Sequence, residues 1–282
     1  KDSDHNRTHL AVSVEQRSQL AAVLEREFVE AVYLDAACYT RVHFTEELAA
    51  DVEQIRAAGK KAYYICPTVF RKQTSDFYLE QREALLPIPL NGLVVKSFDA
   101  LAFVKQYWNT PELIADQNMY TYNSLAIEML KDEQISRMTA PFELNRKELR
   151  NRSNDDSEIV LYGYLPLMTS AQCVHANTGR CDKKPQISYL KDRYGKYFPV
   201  KNNCMDCYNT VYNTTPLLLF ASEPELLAAG FSYFRLAFTV EREKEVRRIL
   251  DVYEAVVSEQ RAKLSEVYDG DYTNGHYKRG VE

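Results

Sequence analysis

The stretch EAVYLDAACYTRVHFTEELAADVEQIRAAGKKAYYICPTV, residues 30–69, holds the pattern that decides the fold. Its first segment, EAVYLDAA, is short, apolar and rich in strand formers. TEELAADVEQIRAAG follows, opening on a Thr N-cap with early acids and closing on Gly, which are the start and stop signals of a helix. KKAYYICPTV then returns to strand character. Two strands joined by a helix over so short a span imply a right-handed crossover between parallel neighbours.

The unit recurs in both directions. Upstream, THLAVSVE (residues 8–15) reads as a strand and QRSQLAAVLERE as a helix. Downstream, strands are expected at NGLVVKSF (91–98), PELIADQN (111–118), ISRMTAPFE (135–143), EIVLYGYLPLM (158–168) and FSYFRLAFTV (231–240). Helical spacing separates them, and EREKEVRRILDVYEAVVSEQRAKL reads as a long closing helix. Eight strands alternating with helices predict an α/β fold of the (β/α)8 TIM-like barrel type, one domain over residues 1–282. An open doubly wound sheet is the weaker reading. No Gly-rich phosphate loop follows any strand, and the chain has only 9 Gly.

Composition bounds the function. With 45% hydrophobic and 27% charged residues the chain can bury a core without staples. A formal net charge of -5 provides no global field for nucleic acid, so such a contact needs a local patch. No apolar run approaches the length of a membrane span, and KDSDHNRTHL is no signal peptide, so a cytoplasmic protein without membrane contact is expected. The chain does not start with Met, which reads as a fragment whose partners include the remaining domains of a longer protein.

Four of the six cysteines fall between the last two expected strands, in an insertion over about 169–215. Their spacing is C-x7-C-x22-C-x2-C: Cys173, Cys181, Cys204 and Cys207. YLKDRYGKYFPV reads as two strands around a charged turn, which would fold the close pair back onto Cys181. Four converging thiolates suit a tetrahedral zinc site or an iron–sulfur cluster, and spacing alone leaves both open. In a barrel the insertion would sit on the C-terminal face, where active sites form.

Strand C-termini nominate further residues: Asp35, Cys38, Cys66, Lys96, Asp116, Asn118, Glu143, Tyr164 and Arg235. Asp116 and Asn118 alternate in IADQN and would share a face, holding a polar substrate between them unless Asn118 caps the next helix. Lys96 and Arg235 each interrupt an apolar strand and need a partner or a substrate anion. Structural pairing would match Lys96 with Asp116 and Arg235 with Glu143. Cys66, before Pro67, reads as a small buried hydrophobe. His175 reads as a solvent-facing loop residue or else as a further ligand. Tyr162 and Tyr164 either pack or stack on a base.

EIVLYGYLPLMTSAQC, YLKDRYGKYFPVKN and CMDCYNTVYN, together with VYLDAACYT and the ending GHYKRGVE, resemble the collagenase-like peptidase family (the unassigned peptidases, family 32). The resemblance covers nearly the whole chain and is to the C-terminal portion of long bacterial members. It implies a barrel and a protease or collagenase activity. It also implies a second possibility, because several members are iron–sulfur-dependent hydroxylation factors acting on RNA or in ubiquinone synthesis. That tips the cofactor from zinc to a 4Fe-4S cluster held by Cys173, Cys181, Cys204 and Cys207. Some relatives take a ligand from the loop after the second strand, where Cys38 stands. The expectation is therefore an iron–sulfur enzyme that hydroxylates or modifies RNA or another polar substrate, with Lys96, Asp116, Asn118 and Arg235 as catalytic residues. A peptidase acting on a peptide substrate and a zinc-stapled binding module are the alternatives. No G-x-S-x-G or H-E-x-x-H motif supports proteolysis directly.

Overall fold

A computed structural model describes residues 8–179 and 181–280. Seven strands come first: β1 (His9–Val14), β2 (Ala31–Asp35), β3 (Lys61–Ile65), β4 (Gly92–Val95), β5 (Leu113–Ala115), β6 (Arg137–Thr139) and β7 (Ser157–Gly163). The chain then leaves the sheet for β8 (Pro166–Ser170), β9 (Ile187–Lys191), β10 (Tyr197–Asn203), β11 (Tyr208–Tyr212) and the short β12 (Leu217–Leu218). It returns as β13 (Tyr233–Phe238). Strands β1 to β7 pair parallel in sequence order, and β13 pairs parallel with both β7 and β1. The eight strands thus close into a TIM-like (β/α)8 barrel. β12 pairs antiparallel with the last two residues of β7, Tyr162 and Gly163.

Period-two alternation sorts the side chains. Ala11, Ala31, Tyr33, Tyr63, Ile65, Val94 and Ile114 fill the barrel interior as one small cluster. Their neighbours, such as Val32, Leu34, Tyr64 and Leu93, face outward and join the larger core beneath the helices. Helix 44–57 starts at Phe44, with left-handed His43 rather than Thr45 at its cap. The closing helix is shorter than its sequence pattern: it runs Glu243–Tyr253, widens into a π-turn over Glu254–Ser258, and breaks before a last turn at Leu264–Val267. Among the described residues no helix is long and apolar enough to cross a membrane.

The run EIVLYGYLPLM is not one strand. β7 ends at Gly163, where a Cβ would meet the Ala237 carbonyl at 2.7 Å, and β8 begins in a different sheet. That second sheet is antiparallel in the order β8-β11-β10-β9. β9 and β10 form the hairpin around the charged turn, with Tyr197 opposite Lys191. Glu15 at the end of β1 binds this sheet down. Tyr212 donates to Glu15 Oε2 at 2.6 Å, and buried Lys201 contacts both the Glu15 carbonyl and its carboxylate. The C-terminal tail packs along β12, where Leu218 donates to the Thr273 carbonyl at 2.9 Å.

Gly92 in β4 has no room for a side chain, because a Cβ would lie 2.5 Å from the Glu112 carbonyl and 2.9 Å from the Tyr63 ring. Gly92→Ala is expected to destabilise the barrel by about 1–3 kcal/mol through overpacking, read as a lower urea midpoint with an unchanged m-value.

Candidate functional site

The barrel strands and the second sheet enclose a cavity of about 240 Å³ between them. Asp35, Lys96, Asp116 and Arg235 line it from the barrel side, and Asn203, Tyr208, Thr210 and Tyr212 from the inserted sheet. Leu167 and Met168, both more than half exposed, stand at its rim on β8. The cavity lies at the C-terminal ends of the strands, where loops are free to vary over a fixed scaffold.

Charge pairing at this end differs from the partners expected. Lys96 Nζ binds Asp35 Oδ2 at 2.6 Å, not Asp116. Arg235 Nη2 binds Asp116 Oδ1 at 2.5 Å, and its Nε stands 3.2 Å from Glu158 Oε1, so Glu143 is not its partner. The Nε contact is an ion pair without hydrogen-bond alignment, and Nη1 has no hydrogen-bond partner among the described residues although both atoms are buried. Burial opposes the charge on Lys96, but Asp35 and then Asp116 outweigh it and hold the ammonium protonated. Burial likewise pushes the Asp116 carboxyl up, while Arg235 and Lys96 pull it harder the other way and leave it below its usual range.

β5 stops at Ala115, so Asp116 and Asn118 do not alternate along a strand. Asp116 caps a 3-10 turn over Gln117–Met119, accepting from the Gln117 N–H at 3.0 Å. That turn still brings Asn118 to the cavity wall beside Asp116. The next helix is capped by Asn123 instead. Tyr164 lines the cavity, whereas Tyr162 is buried behind it. Cys66 is buried, and burial pushes its thiol up to about 12.

The close cysteine pair is set by what lies between its members. Met205 is buried against the Tyr64 and Tyr78 hydroxyls, which bond each other at 2.7 Å. Asp206 accepts from Thr74 Oγ1 at 2.7 Å, and Arg41 donates to the Met205 carbonyl at 2.8 Å. With both central residues anchored, Cys204 is left half-buried and Cys207 exposed, the latter in a left-handed turn with φ 59. Two buried asparagines tie the other members in. Asn202 Nδ2 donates to Cys204 Sγ at 3.4 Å, and the same side chain bonds Gln186 N and the Lys184 carbonyl in the loop after Cys181. Asn209 Nδ2 lies 3.8 Å from Cys173 Sγ, and its Oδ1 accepts from Val174 N at 2.6 Å.

Cys173, Cys181, Cys204 and Cys207 lie within electrostatic reach of one another: burial, then Cys181, Cys173 and Cys207, push the Cys204 thiol up to about 11. They are a loose set rather than a closed one, since among the described residues no three His, Cys, Asp or Glu side chains form a group that could hold a metal ion as they stand. The chemistry of the donors nonetheless fits a thiophilic group, because N–H···S bonds of this kind stabilise a thiolate. Cys38 is elsewhere. Its thiol bonds the Val14 carbonyl at 3.3 Å, and the charges around it are Lys201, Asp35, Glu15 and Asp51. His175 is only half-buried, yet its Nε2 is shielded from solvent and unpartnered, so it is not a fully solvent-facing residue.

A family model described as Peptidase family U32 matches residues 16–278. The chain belongs to peptidase family U32. No curated protein matches it. Solved structures similar to this U32 chain are distant. A candidate fructose-1,6-biphosphate aldolase from Coccidioides immitis is 11% identical, with TM-score 0.48 over 93% of this chain and 83% of that one. Thiamine phosphate pyrophosphorylase from Pyrococcus furiosus is 10% identical, with TM-score 0.46 over 90% and 98%.

Sequence reasoning missed Glu15, Glu158, Lys201 and Tyr212. Glu15 ends the first strand and follows from the same C-terminal rule that found Asp35. Glu158 opens β7 at the other end of the barrel, and Lys201 and Tyr212 act only through the fold of the inserted sheet.

Arg235→Met is expected to cost about 3–5 kcal/mol, because it removes the guanidinium that pairs directly with both buried acids, Asp116 and Glu158. Chemical denaturation of the single and the paired Asp116→Asn variant measures the coupling, which should exceed about 0.5 kcal/mol for residues in contact. Asp116 titrates below its ordinary value in the folded state, so it adds stability above the unfolded pKa. That contribution is lost as pH falls through the folded one, and a denaturation series in acid should show the loss in the wild type and not in Asp116→Asn.

Proposed function

We propose that this U32 protein is an iron–sulfur-dependent enzyme that hydroxylates or otherwise modifies a polar substrate, with an RNA base as the substrate. The observation that carries the reading is the set of four thiols, two of them receiving amide N–H groups, in the loops of the inserted sheet that covers the barrel mouth. Cys173, Cys181, Cys204 and Cys207 would hold the cluster, and exposed Cys181 and Cys207 have room to turn toward the other two. A bound 4Fe-4S cluster would supply one-electron chemistry.

The protein's own residues would do the rest. Lys96, kept protonated by Asp35, offers positive charge on the cavity wall. Arg235 is fixed by Asp116 on one side, and its unpartnered Nη1 is a donor for a substrate oxygen. Asn118 offers both a donor and an acceptor to a base edge. Leu167 and Met168 at the rim would shield the bound group from water. The hairpin tip adds a local basic and aromatic patch, with Arg193 stacked on exposed Tyr194 at 4.8 Å and Lys191 over Tyr197 at 5.3 Å, the combination that receives single-stranded nucleic acid.

The family's name favours a second reading, a peptidase. A cysteine peptidase needs a thiol lowered toward the thiolate, whereas those of Cys66 and Cys204 are pushed up to about 12 and about 11.

Anaerobic purification followed by iron and acid-labile sulfide analysis tests the proposal. The wild type and Cys38→Ala should carry about four irons each, and Cys204→Ser should lose iron and brown colour together. Stoichiometric zinc in anaerobic wild type, or peptide cleavage that survives Cys204→Ser, would overturn it.

A further inference from the structure

A second cavity, of about 400 Å³, opens on the other side of Tyr164 from the first. That volume lies within the range of small-ligand pockets. Five tyrosines line it: Tyr162 and Tyr164 at the end of β7, Tyr189 and Tyr197 from the hairpin, and Tyr268 from the C-terminal segment. Opposite each other in the β9–β10 ladder, Tyr189 pairs with Pro199 and Tyr197 with Lys191, so Tyr189, Lys191, Tyr197 and Pro199 share one face. Ring faces carry partial negative charge and attract cations.

At the wall stands Glu241, only 3% exposed. Its position is rigid. Gln16 and Gln19 donate to its carbonyl at 3.2 and 2.8 Å, and its Oε2 accepts from Thr239 N at 2.6 Å. Among the described residues no donor is aligned on Oε1, although the Tyr162 hydroxyl is close enough to interact with the carboxylate and favours its ionised form. A buried carboxylate oxygen left without a donor is costly unless something fills the space beside it.

The other charges around the cavity do not fill that role. Glu245 and Asp271 are acidic and line the same cavity. Among the described residues Arg248 is the one basic residue on its wall, and its guanidinium is taken by Asp269 and stacked over Tyr268 at 5.6 Å. Lys191, on the same face, reaches over the Tyr197 ring at 5.3 Å and does not line the cavity.

From these residues we infer that the second cavity binds a primary or secondary ammonium group, seated among the tyrosine rings and donating an N–H to Glu241 Oε1. The vacant acceptor decides the class: a quaternary ammonium would satisfy the rings but has no hydrogen to give the carboxylate. Burial pushes the Glu241 carboxyl up to about 7, so seating a cation beside it favours the ionised form and releases a proton near neutral pH. The inference is independent of the thiol set and of the first cavity's chemistry.

Isothermal titration calorimetry on the full chain tests it with 1,4-diaminobutane, with lysine blocked at both its α-amino and carboxyl groups, and with tetramethylammonium. The diamine or the blocked lysine should bind with one-to-one stoichiometry and at least about tenfold more tightly than tetramethylammonium, the discrimination expected of one charge-assisted hydrogen bond. Preference for the diamine marks a free amine as the ligand, and preference for the blocked lysine marks a protein side chain; either supports the site. Glu241→Gln keeps an acceptor for Thr239 N, and should weaken binding by about tenfold or more and abolish the buffer-dependent heat of proton release at pH 7. Tyr189→Ala, at an exposed position, should weaken it several-fold with no change in melting temperature. Absence of binding by both ammonium probes, equal affinity for tetramethylammonium, or unchanged binding in folded Glu241→Gln would overturn the assignment.

Discussion

A guanidinium on the barrel axis organises this protein. Arg235 comes from the last strand and stands between Asp116, from the end of β5, and Glu158, from the start of β7. All three are at most 3% exposed. Charges so far from water stay only when each answers another, so none can be changed alone. The arrangement extends toward the far end of the barrel: Glu158 accepts from Tyr33, Arg137 donates to Tyr33 and pairs with Glu112, and Tyr63 bonds Glu112. A polar chain therefore runs through an interior that most barrels fill with aliphatic layers.

That chain explains how the two ends of the barrel differ. At the C-terminal end Lys96 and Arg235 face a cavity, and one donor of Arg235 is left over. Toward the other end the groups pair among themselves. The inserted sheet then covers the first end, and Glu15 fastens it through Lys201 and Tyr212. The thiols lie on that sheet and on the loops that two asparagines fix to it, so their spacing is a property of the insertion and not of the barrel loops.

The strand–helix alternation was legible because period two and helical spacing are local, and all eight barrel strands follow from it. The partners of Lys96 and Arg235 were not legible. Asp116 and Arg235 are 119 residues apart, and no local pattern encodes which strand ends meet across a closed cylinder. The apolar run from Glu158 to Met168 hid a change of sheet, for which Gly163 and Pro166 were the local signals: the close approach of Gly163 to Ala237 replaces a side chain with a bend, and Pro166 opens the new strand. The cysteine spacing pointed to one locality, but it carried no information about Asn202 and Asn209, whose amides aim at two of the sulfurs. Nor did it hint at the tyrosine-lined cavity, whose wall is assembled from segments distant in the sequence.

The closing strand has a consequence for how the chain folds. β13 is made last among the barrel strands, yet it pairs with the first and with the seventh. Until it arrives, β1 and β7 each present an open edge, and Asp116 and Glu158 lack the guanidinium that pairs with both. Such edges template pairing with other chains, and contacts this distant in sequence form slowly. Synthesis therefore passes through a stage in which most of the barrel exists but cannot seal. Arg235 arrives on the strand that ends it, so the neutralisation of the axis and the loss of the sticky edges happen in one step. A nascent chain stalled before that strand is the form of this protein most in need of a chaperone.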